Sequence, residues 1–284
     1  MTTPVSESDV VFAEQAVGLG ADLLDGVERL GVAFSGGVDS SVLLALAVRV
    51  LGADRVVAIL GVSPSLATQE RTAAHEVARF IGARVVEVQT FEGDRPEYQA
   101  NGPDRCFFCK DELFSRISDE VVAEQRLDAV AYGENADDAK RPDRPGAQAA
   151  TNHRVLRPLA DAGWDKDAVR RLARTWELPC ADKPAAPCLA SRIPHHELVS
   201  PEKLHQIDQA ETALRALGFT DLRVRHHGDI ARIELPAEDL LRAVADPLRE
   251  AVRSAVRSAG FRFAVVDLAG MQSGAFTLTV LQNA

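Results

Sequence analysis

The stretch that decides the fold is GVAFSGGVDSS, residues 31–41. It opens with a short apolar run, which is typical of a buried strand, and then passes through two adjacent glycines. Beyond the glycines, apolar residues recur at helical spacing, namely Val42, Leu43, Leu46, Ala47 and Val50. The pattern therefore predicts a strand, a tight loop and a helix in immediate succession.

The same alternation continues through the first half of the chain. Further strands are indicated by RVVAILGV (55–62), RVVEVQT (84–90) and DAVAYGE (128–134). Helices are indicated by TQERTAAHEVARFIG (68–82) and KDELFSRISDEVVAEQR (110–126). Strands that alternate with helices in this way predict an α/β fold with a doubly wound, mainly parallel sheet.

The second half of the chain has a different pattern. Residues 135–163 are rich in turn formers and predict loop, and a helix follows at 165–178. The C-terminal part contains the strands LRVRHHGDIARIEL (222–235) and FAVVDLA (263–269) around one long amphipathic helix (240–260). We therefore predict two domains, with the parallel sheet in residues 1–190 and a smaller α/β domain in residues 191–284.

Charge and hydropathy limit the partners of the chain. Its 284 residues include 32 Lys and Arg against 42 Asp and Glu, a net charge of −10. Proteins that grip nucleic acid usually have the opposite balance, because they neutralise phosphates. The N-terminus lacks the basic start and apolar core of a secretion signal, and Arg49 interrupts the most apolar run. We expect a cytoplasmic protein that binds neither nucleic acid nor membrane and keeps its thiols reduced.

The glycine-containing loop is a candidate phosphate site. Gly36 and Gly37 have no Cβ, so the backbone can approach a phosphate closely. Ser35 and Ser40 supply hydroxyl donors, and Asp39 is suited to hold Mg²⁺. The Gly-Lys-Ser/Thr ending of a Walker loop is absent. A plain turn with a helix cap is the alternative, but the complete string between strand and helix favours phosphate binding.

The four cysteines leave several chemistries open. Cys106 and Cys109 form a Cys-x-x-Cys pair, and Cys180 and Cys188 lie far along the chain. Thiolates suit iron–sulfur clusters, while a four-cysteine zinc site and a redox couple remain alternatives. Cys180 is the best candidate for plain burial.

Several polar residues stand at positions where ligands bind. Arg223 and Arg225 alternate along a strand and therefore share one face. They predict either a phosphate-binding fork or a solvated face. Glu134, Asn135 and Asp138 follow a predicted strand end, where functional groups of α/β sheets collect.

SGGVDSS after an apolar strand resembles the pyrophosphate loop of the N-type ATP pyrophosphatases, the PP-loop superfamily. Members split ATP between the α- and β-phosphates and attach AMP to a substrate oxygen. The resemblance implies a catalytic Asp39 and a loop at Gly61–Ser63 beside the adenine. It also implies an ATP and pyrophosphate site formed by Ser35, Gly36, Gly37, Asp39, Ser40, Gly61, Ser63 and Glu134.

Three later motifs resemble those of one family in this superfamily. They are GPDRCFFCK (102–110), GENADDAKRPDRPG (133–146) and KPAAPCLASRIPHH (183–196). In this order they are similar to the LarE family of ATP-dependent sulfur transferases. The resemblance implies conversion of the carboxylates of pyridinium-3,5-biscarboxylic acid mononucleotide to thiocarboxylates, a step towards the nickel-pincer cofactor of lactate racemase.

The resemblance also implies how sulfur is delivered. One type of LarE protein gives up the sulfur of a single cysteine within PCLxSR, which is Cys188 in this chain. The other type adds a Cys-x-x-Cys pair, and three thiolates hold a [4Fe–4S] cluster. Cys106, Cys109 and Cys188 match the second type, with a sulfur donor that the sequence does not identify. Loss of sulfur from Cys188 remains the alternative.

Further roles follow from the same resemblance. Arg192, Arg144 and Lys183 would stabilise charge on the phosphates or the carboxylate, with Arg192 in the catalytic set. Arg223 and Arg225 would bind the substrate phosphate in the C-terminal domain, which is also the expected site of homo-oligomerisation. Glu211 is a candidate for an additional metal ligand.

Three other functions remain in view. A tRNA thiolation enzyme of the same superfamily is disfavoured by the acidic charge. A nucleotide-binding module without catalysis is opposed by the three later motifs. An ammonia-using synthetase would need free ammonia, because no glutaminase segment is visible.

Overall fold

The computed structural model describes residues 6–140 and 145–271, which pack as two compact units. Unit 1 contains the described residues of Met1–Ser63, Glu70–Glu92 and Cys106–Ala186, and unit 2 those of Pro64–Gln69, Gly93–Arg105 and Pro187–Ala284. The predicted domain boundary follows residue 190, and the main chain passes from unit 1 to unit 2 at residues 186–187. Two short segments of the N-terminal half also pack in unit 2, which the sequence pattern does not anticipate.

The chain forms thirteen α-helices and seven strands within the described residues. In order they are α1 (Glu7–Leu23), β1 (Leu30–Ala33), α2 (Val38–Leu51), β2 (Val56–Val62), α3 (Thr68–Ile81), β3 (Arg84–Gln89), α4 (Pro96–Gln99), α5 (Arg105–Arg116), α6 (Val122–Gln125), β4 (Ala129–Tyr132), α7 (Ala136–Ala139), α8 (Pro145–Asn152), α9 (Pro158–Asp161), α10 (Lys166–Thr175), α11 (Pro201–Ala216), β5 (Arg223–His227), β6 (Ile230–Glu234), α12 (Ala237–Val244), α13 (Leu248–Ser258) and β7 (Phe263–Val266).

The sheet of unit 1 is parallel, as predicted. Its strand order is β3-β2-β1-β4, and Leu30 of β1 is in register with Val56 of β2 and Ala129 of β4. The order of strands reverses beside β1, because β2 and β3 lie on one side of it and β4 on the other. In open α/β sheets, ligands bind outside the carboxyl ends of the strands at such a reversal.

Burial explains why β1, β2 and α2 form the centre of unit 1. Leu30, Val32 and Ile59 are fully buried, as strands covered on both faces require. Ten of the fourteen residues of α2 are buried as well, and the helix contacts α1 and α10 in the same unit. No helix in the described part of the chain is both long and apolar enough to cross a bilayer.

Two predictions for unit 1 are wrong in detail. The helix expected after the cysteine pair begins at Arg105, so the pair lies inside α5, and a π-helical turn interrupts the segment at Ile117–Val121. The stretch 135–163, predicted as loop, contains α7, α8 and α9. Pro145 and Pro158 stand at the starts of two of these helices, where a proline loses no intrahelical hydrogen bond. These two prolines begin helices, although their presence in the sequence had indicated loop.

Unit 2 contains a three-stranded sheet in the order β5-β6-β7. β5 and β6 form an antiparallel hairpin, and β7 pairs parallel to β6. The predicted helix at 240–260 is wrong, because the chain forms α12 and α13 on either side of Pro247. A proline lacks the N–H that a helix interior needs and clashes with the preceding turn.

Gly36, in the loop after β1, packs closely against the backbone of α3. Its φ is +71°, and a Cβ would lie 2.8 Å from the Cα of Ala74 in α3. Gly82 has a similar φ of +84° with open space around it. We expect Gly82→Ala to lower the free energy of unfolding by about 1 kcal/mol. Gly36→Ala should lower it by about 1–3 kcal/mol more, because a backbone atom must move. Urea unfolding of both variants measures this difference, and equal losses would contradict the close packing.

Candidate functional site

The loop after β1 places its serines and glycines at the N-terminus of α2. Gly37 is the N-cap residue and makes no side-chain capping bond. The hydroxyls of Ser35 and Ser40 lie 3.2 Å apart, and the Ser40 hydroxyl donates to the Gly37 carbonyl at 3.1 Å. The first N–H groups of a helix lack intrahelical partners and carry the positive end of its dipole. The loop is therefore built to receive an anion.

Asp39 lies in the first turn of α2 and has a partner for each carboxylate oxygen. The side-chain amide of Asn135 donates to Oδ1 at 3.0 Å, and the ammonium of Lys166 donates to Oδ2 at 2.6 Å. Asn135 also caps α7 by accepting from the N–H of Asp138 at 3.0 Å. The N–H of Lys166 donates to Asp137 at 3.0 Å. Asp39 is therefore held in place by two segments, the start of α10 and the segment after β4.

The segment after β4 packs directly on the loop after β1. A Cβ on Gly133 would lie 2.6 Å from the backbone nitrogen of Ser40, so only glycine permits this approach. Glu134 is buried, and Arg157 lies 3.5 Å from its carboxylate. The structure therefore brings Glu134 and Asn135 to the loop after β1, at the reversal of strand order.

Ser63 and Glu92 meet at the carboxyl ends of β2 and β3. The Ser63 hydroxyl donates to Oε1 of Glu92 at 2.5 Å, and Glu92 is 2% exposed. Gly61 lies at the end of β2, where a Cβ would contact the side chain of Leu113 at 2.8 Å. Glu92 was not among the predicted site residues, because it lies in a stretch whose composition indicates only a turn.

The Cys-x-x-Cys pair occupies the first turns of α5. Cys106 and Cys109 are three residues apart on a helix and therefore lie on one face. Cys106 is exposed and Cys109 is partly exposed, and neither forms a disulfide. Lys110 follows them, and its ammonium lies 4.5 Å from the ring centroid of Tyr132 at the end of β4.

Cys188 lies in unit 2, immediately before a 3₁₀ turn at Leu189–Arg192. Its side chain is exposed and unpaired. The Arg192 guanidinium donates to the carbonyls of Pro187 at 2.6 Å and Cys188 at 3.4 Å. Arg192 also pairs with the fully buried Glu211, at 2.9 Å. This ion pair therefore fixes the backbone that carries Cys188.

The surroundings of Glu211 are those of a buried counter-ion. Besides Arg192, its carboxylate accepts from Arg215 at 3.3 Å and from the N–H of Val224 at 3.0 Å. The predicted role of Glu211 as a metal ligand stays a prediction, and in the structure both oxygens are already bonded to protein donors.

Arg223 and Arg225 are both buried, so the solvated alternative for this strand is wrong. The Arg225 guanidinium forms a double hydrogen bond with the buried Glu234, at 2.9 and 2.8 Å, and donates to the Ser191 carbonyl at 2.8 Å. Burial lowers the pKa of Arg223, and the nearby guanidinium groups of Arg192 and Arg225 lower it further. An arginine crowded by positive charge gains from a bound anion. Arg223 is therefore the better candidate for phosphate binding.

Three predicted residues remain, and the structure describes two of them. Lys183 pairs with Glu70 at 2.7 Å in unit 1, and Arg144 lies outside the described residues. Cys180 is buried, and burial raises the pKa of its thiol. In residues 6–140 and 145–271, no three His, Cys, Asp or Glu side chains are arranged around a common metal position.

Lys166 is a site residue that sequence reasoning missed. Lys166 is the first residue of α10, and its ammonium contacts Asp39. The two residues are more than a hundred positions apart in the sequence. The signal available in the sequence was weak, since a lysine at a helix start normally opposes the helix dipole. A basic residue in that unfavourable position, in the first turn of a helix, is the pattern that could have indicated it.

The sequence compares with known proteins along nearly its whole length. The family model described as asparagine synthase matches residues 21–98, which contain the loop after β1. An uncharacterized protein of Synechocystis is 41% identical over 87% of this chain and 91% of its own. An uncharacterized protein of Methanocaldococcus jannaschii is 30% identical over 59% of this chain and 64% of its own.

One relative has a named activity. The pyridinium-3,5-bisthiocarboxylic acid mononucleotide synthase of Lactiplantibacillus plantarum is 34% identical over 92% of this chain and 94% of its own. The parallel sheet and the loop at its strand reversal agree with the PP-loop resemblance. The chain therefore belongs to the LarE family of the PP-loop superfamily, with pyridinium-3,5-bisthiocarboxylic acid mononucleotide synthase as a relative.

Proposed function

We propose that this protein is an ATP-dependent sulfur transferase that converts the carboxylates of pyridinium-3,5-biscarboxylic acid mononucleotide to thiocarboxylates, in biosynthesis of the nickel-pincer nucleotide. The proposal is supported above all by the 34% identity to the Lactiplantibacillus plantarum synthase, which extends over 92% of this chain. The site supports it, because an anion loop, an acidic residue and a lysine stand together at the strand reversal of unit 1.

The first step is adenylation of the substrate. A carboxylate oxygen attacks the α-phosphorus of ATP, the bond to the bridging oxygen breaks, and pyrophosphate leaves with the electron pair. Ser35, Gly36, Gly37 and Ser40 offer hydroxyl and backbone N–H donors to that leaving group. Asp39 has the oxygen donors that Mg²⁺ prefers, and the bound ion would neutralise charge on the phosphates. Lys166 pairs with Asp39 and would supply a second positive charge near the phosphate oxygens.

Adenylation makes the carboxyl group replaceable. A carboxylate oxygen is a poor leaving group, whereas AMP leaves readily when a sulfur nucleophile attacks the carbonyl carbon. Glu134 and Arg157 lie next to the loop after β1, and Arg157 supplies positive charge at that position. In unit 2, Arg223 is proposed to bind the substrate phosphate, while Arg225 is committed to Glu234.

The sulfur step involves the cysteines. Cys106, Cys109 and Cys188 form no disulfide and have exposed or partly exposed side chains, and their sulfur atoms are donors that suit an iron–sulfur cluster. We propose that these three thiolates hold a [4Fe–4S] cluster. The three thiolates would hold the cluster, and the cluster would supply sulfur for the attack on the carbonyl carbon. Homo-oligomerisation and a cytoplasmic location are further parts of the proposal.

The proposal is tested by supplying ATP, Mg²⁺ and the biscarboxylate mononucleotide under anaerobic conditions. We expect pyrophosphate and AMP to form only when the mononucleotide is present. Lys166→Met should lower kcat/KM for ATP about a hundredfold, the typical effect of removing one donor to developing charge. Lys140→Met is the control, because Lys140 is exposed and its ammonium lies 3.9 Å from Asp137, a longer distance than that between Lys166 and Asp39. Absence of pyrophosphate in the parent protein would overturn the proposal.

Arg223→Gln should separate substrate binding from ATP binding. We expect KM for the mononucleotide to rise roughly 10- to 100-fold, since a charge-assisted hydrogen bond contributes about 1.5–3 kcal/mol. KM for ATP should stay unchanged. Arg253→Gln serves as the control, because Arg253 is exposed and pairs with its helix neighbour Glu250. Steady-state kinetics with each substrate varied in turn measure the split, and a parallel rise in both KM values would contradict the assignment.

Iron and acid-labile sulfide per chain test the proposed cluster. We expect about four irons in anaerobically purified parent protein. The variants Cys106→Ser, Cys109→Ser and Cys188→Ser should lose them. Cys180→Ala should retain them, because that thiol is buried and outside the proposed set. Little iron in folded parent protein would instead favour loss of sulfur from Cys188, which intact-mass analysis after one turnover detects.

A further inference from the structure

Glu92 presents an unusual buried carboxylate. It is 2% exposed, and its Oε1 accepts a hydrogen bond from the Ser63 hydroxyl at 2.5 Å. Its Oε2 is also buried and has no hydrogen-bond partner among the described residues. Buried polar atoms without partners are rare in native proteins, because each loses its bonds to water without a replacement. A carboxylate oxygen in this state would be stabilised by a donor that the described residues do not provide.

The position of Glu92 indicates where that donor comes from. Ser63 directly follows β2, and Glu92 follows β3 after only two residues, so both lie at the carboxyl ends of parallel strands. β3 is two strands from β1 in the sheet. At a strand spacing of about 4.8 Å, Glu92 lies roughly 10 Å along the sheet edge from the phosphate loop. A nucleotide whose phosphates lie at the loop after β1 can place its base at that distance.

We infer that Oε2 of Glu92 accepts a hydrogen bond from the exocyclic amine of the adenine of ATP. This assignment rests on the proposed use of ATP and extends it to base selection. The amine is the only N–H donor on the base of ATP. Guanine has an oxygen at the same position, so it would oppose one acceptor with another. The carboxylate would therefore favour ATP over GTP, and Ser63 would fix its orientation.

Glu92→Gln gives the sharpest test. If the glutamine oxygen keeps the Ser63 hydroxyl, its amide nitrogen replaces Oε2 and presents a donor. ATP should then bind about tenfold more weakly or worse, since a hydrogen bond to a charged acceptor is lost. GTP should bind more tightly, because its O6 now meets a donor. Asp94→Asn is the control, because Asp94 lies in the same turn, is exposed, and should leave the ATP to GTP ratio unchanged.

Equilibrium binding in the presence of Mg²⁺ measures these ratios without turnover. In the parent protein, purine riboside triphosphate, which lacks the exocyclic amine, should bind about tenfold more weakly than ATP. This measurement needs no variant, so it stands even if Glu92→Gln fails to fold. Purine riboside triphosphate and ATP binding equally would overturn the inference. Selective loss with 2′-deoxy-ATP would also overturn it, by assigning the contact to the ribose.

The outcomes separate this inference from the proposed function. If the parent protein binds no ATP, the proposed use of ATP fails, and base selection by Glu92 fails with it. If ATP binds and pyrophosphate is released but the three triphosphates do not discriminate as expected, only the role of Glu92 is wrong.

Discussion

Parallel pairing of β1 on both edges is the constraint on which unit 1 depends. This four-residue strand lies between β2 and β4, and the loop that follows it opens at the reversal of strand order. Because β4 lies beside β1, the segment after β4 comes directly against the N-terminus of α2, and Gly133 must be a glycine for the two backbones to meet. The same contact brings Asn135 to Asp39. A single pairing choice in the sheet thus assembles the anion loop and its polar neighbours.

The sequence indicates features that are local and misses those that depend on distant partners. The strand, loop and helix around Gly36 and Gly37 are recognisable because spacing and turn chemistry occur within a few residues. The pairing of Lys166 with Asp39 joins residues far apart in the chain, so no local pattern reports it. The helix break at Pro247 was missed for a different reason. The apolar residues of 240–260 keep their helical spacing through Pro247, although the backbone cannot continue one helix through it.

The sequence identifies the arginines of unit 2 as candidates for binding, but it does not show which of them already pair with carboxylates. Alternation of Arg223 and Arg225 predicts a shared face, and both side chains are buried. Burying a guanidinium is expensive unless a carboxylate pairs with it, and Glu211 and Glu234 meet that need for Arg192 and Arg225. Those two arginines also donate to the carbonyls of Pro187 and Ser191, which lie on either side of Cys188. The role of each arginine depends on its partner carboxylate. Each carboxylate is nine or more positions away in the sequence, so local pattern does not identify the pair.

The ion pairs around Cys188 and the ion pair at the loop after β1 differ in solvent exposure. In unit 2, Arg192 and Arg225 pair with carboxylates that are fully buried, so breaking either pair would strand a charge away from water. Such pairs hold fixed geometry. In unit 1, Asp39 and Lys166 are partly exposed, and water can solvate each of them when they part. Exposure therefore allows this pair to exchange partners at small cost, as the proposed binding of Mg²⁺ and phosphate would require. Burial instead holds the turn that follows Cys188 in a fixed position.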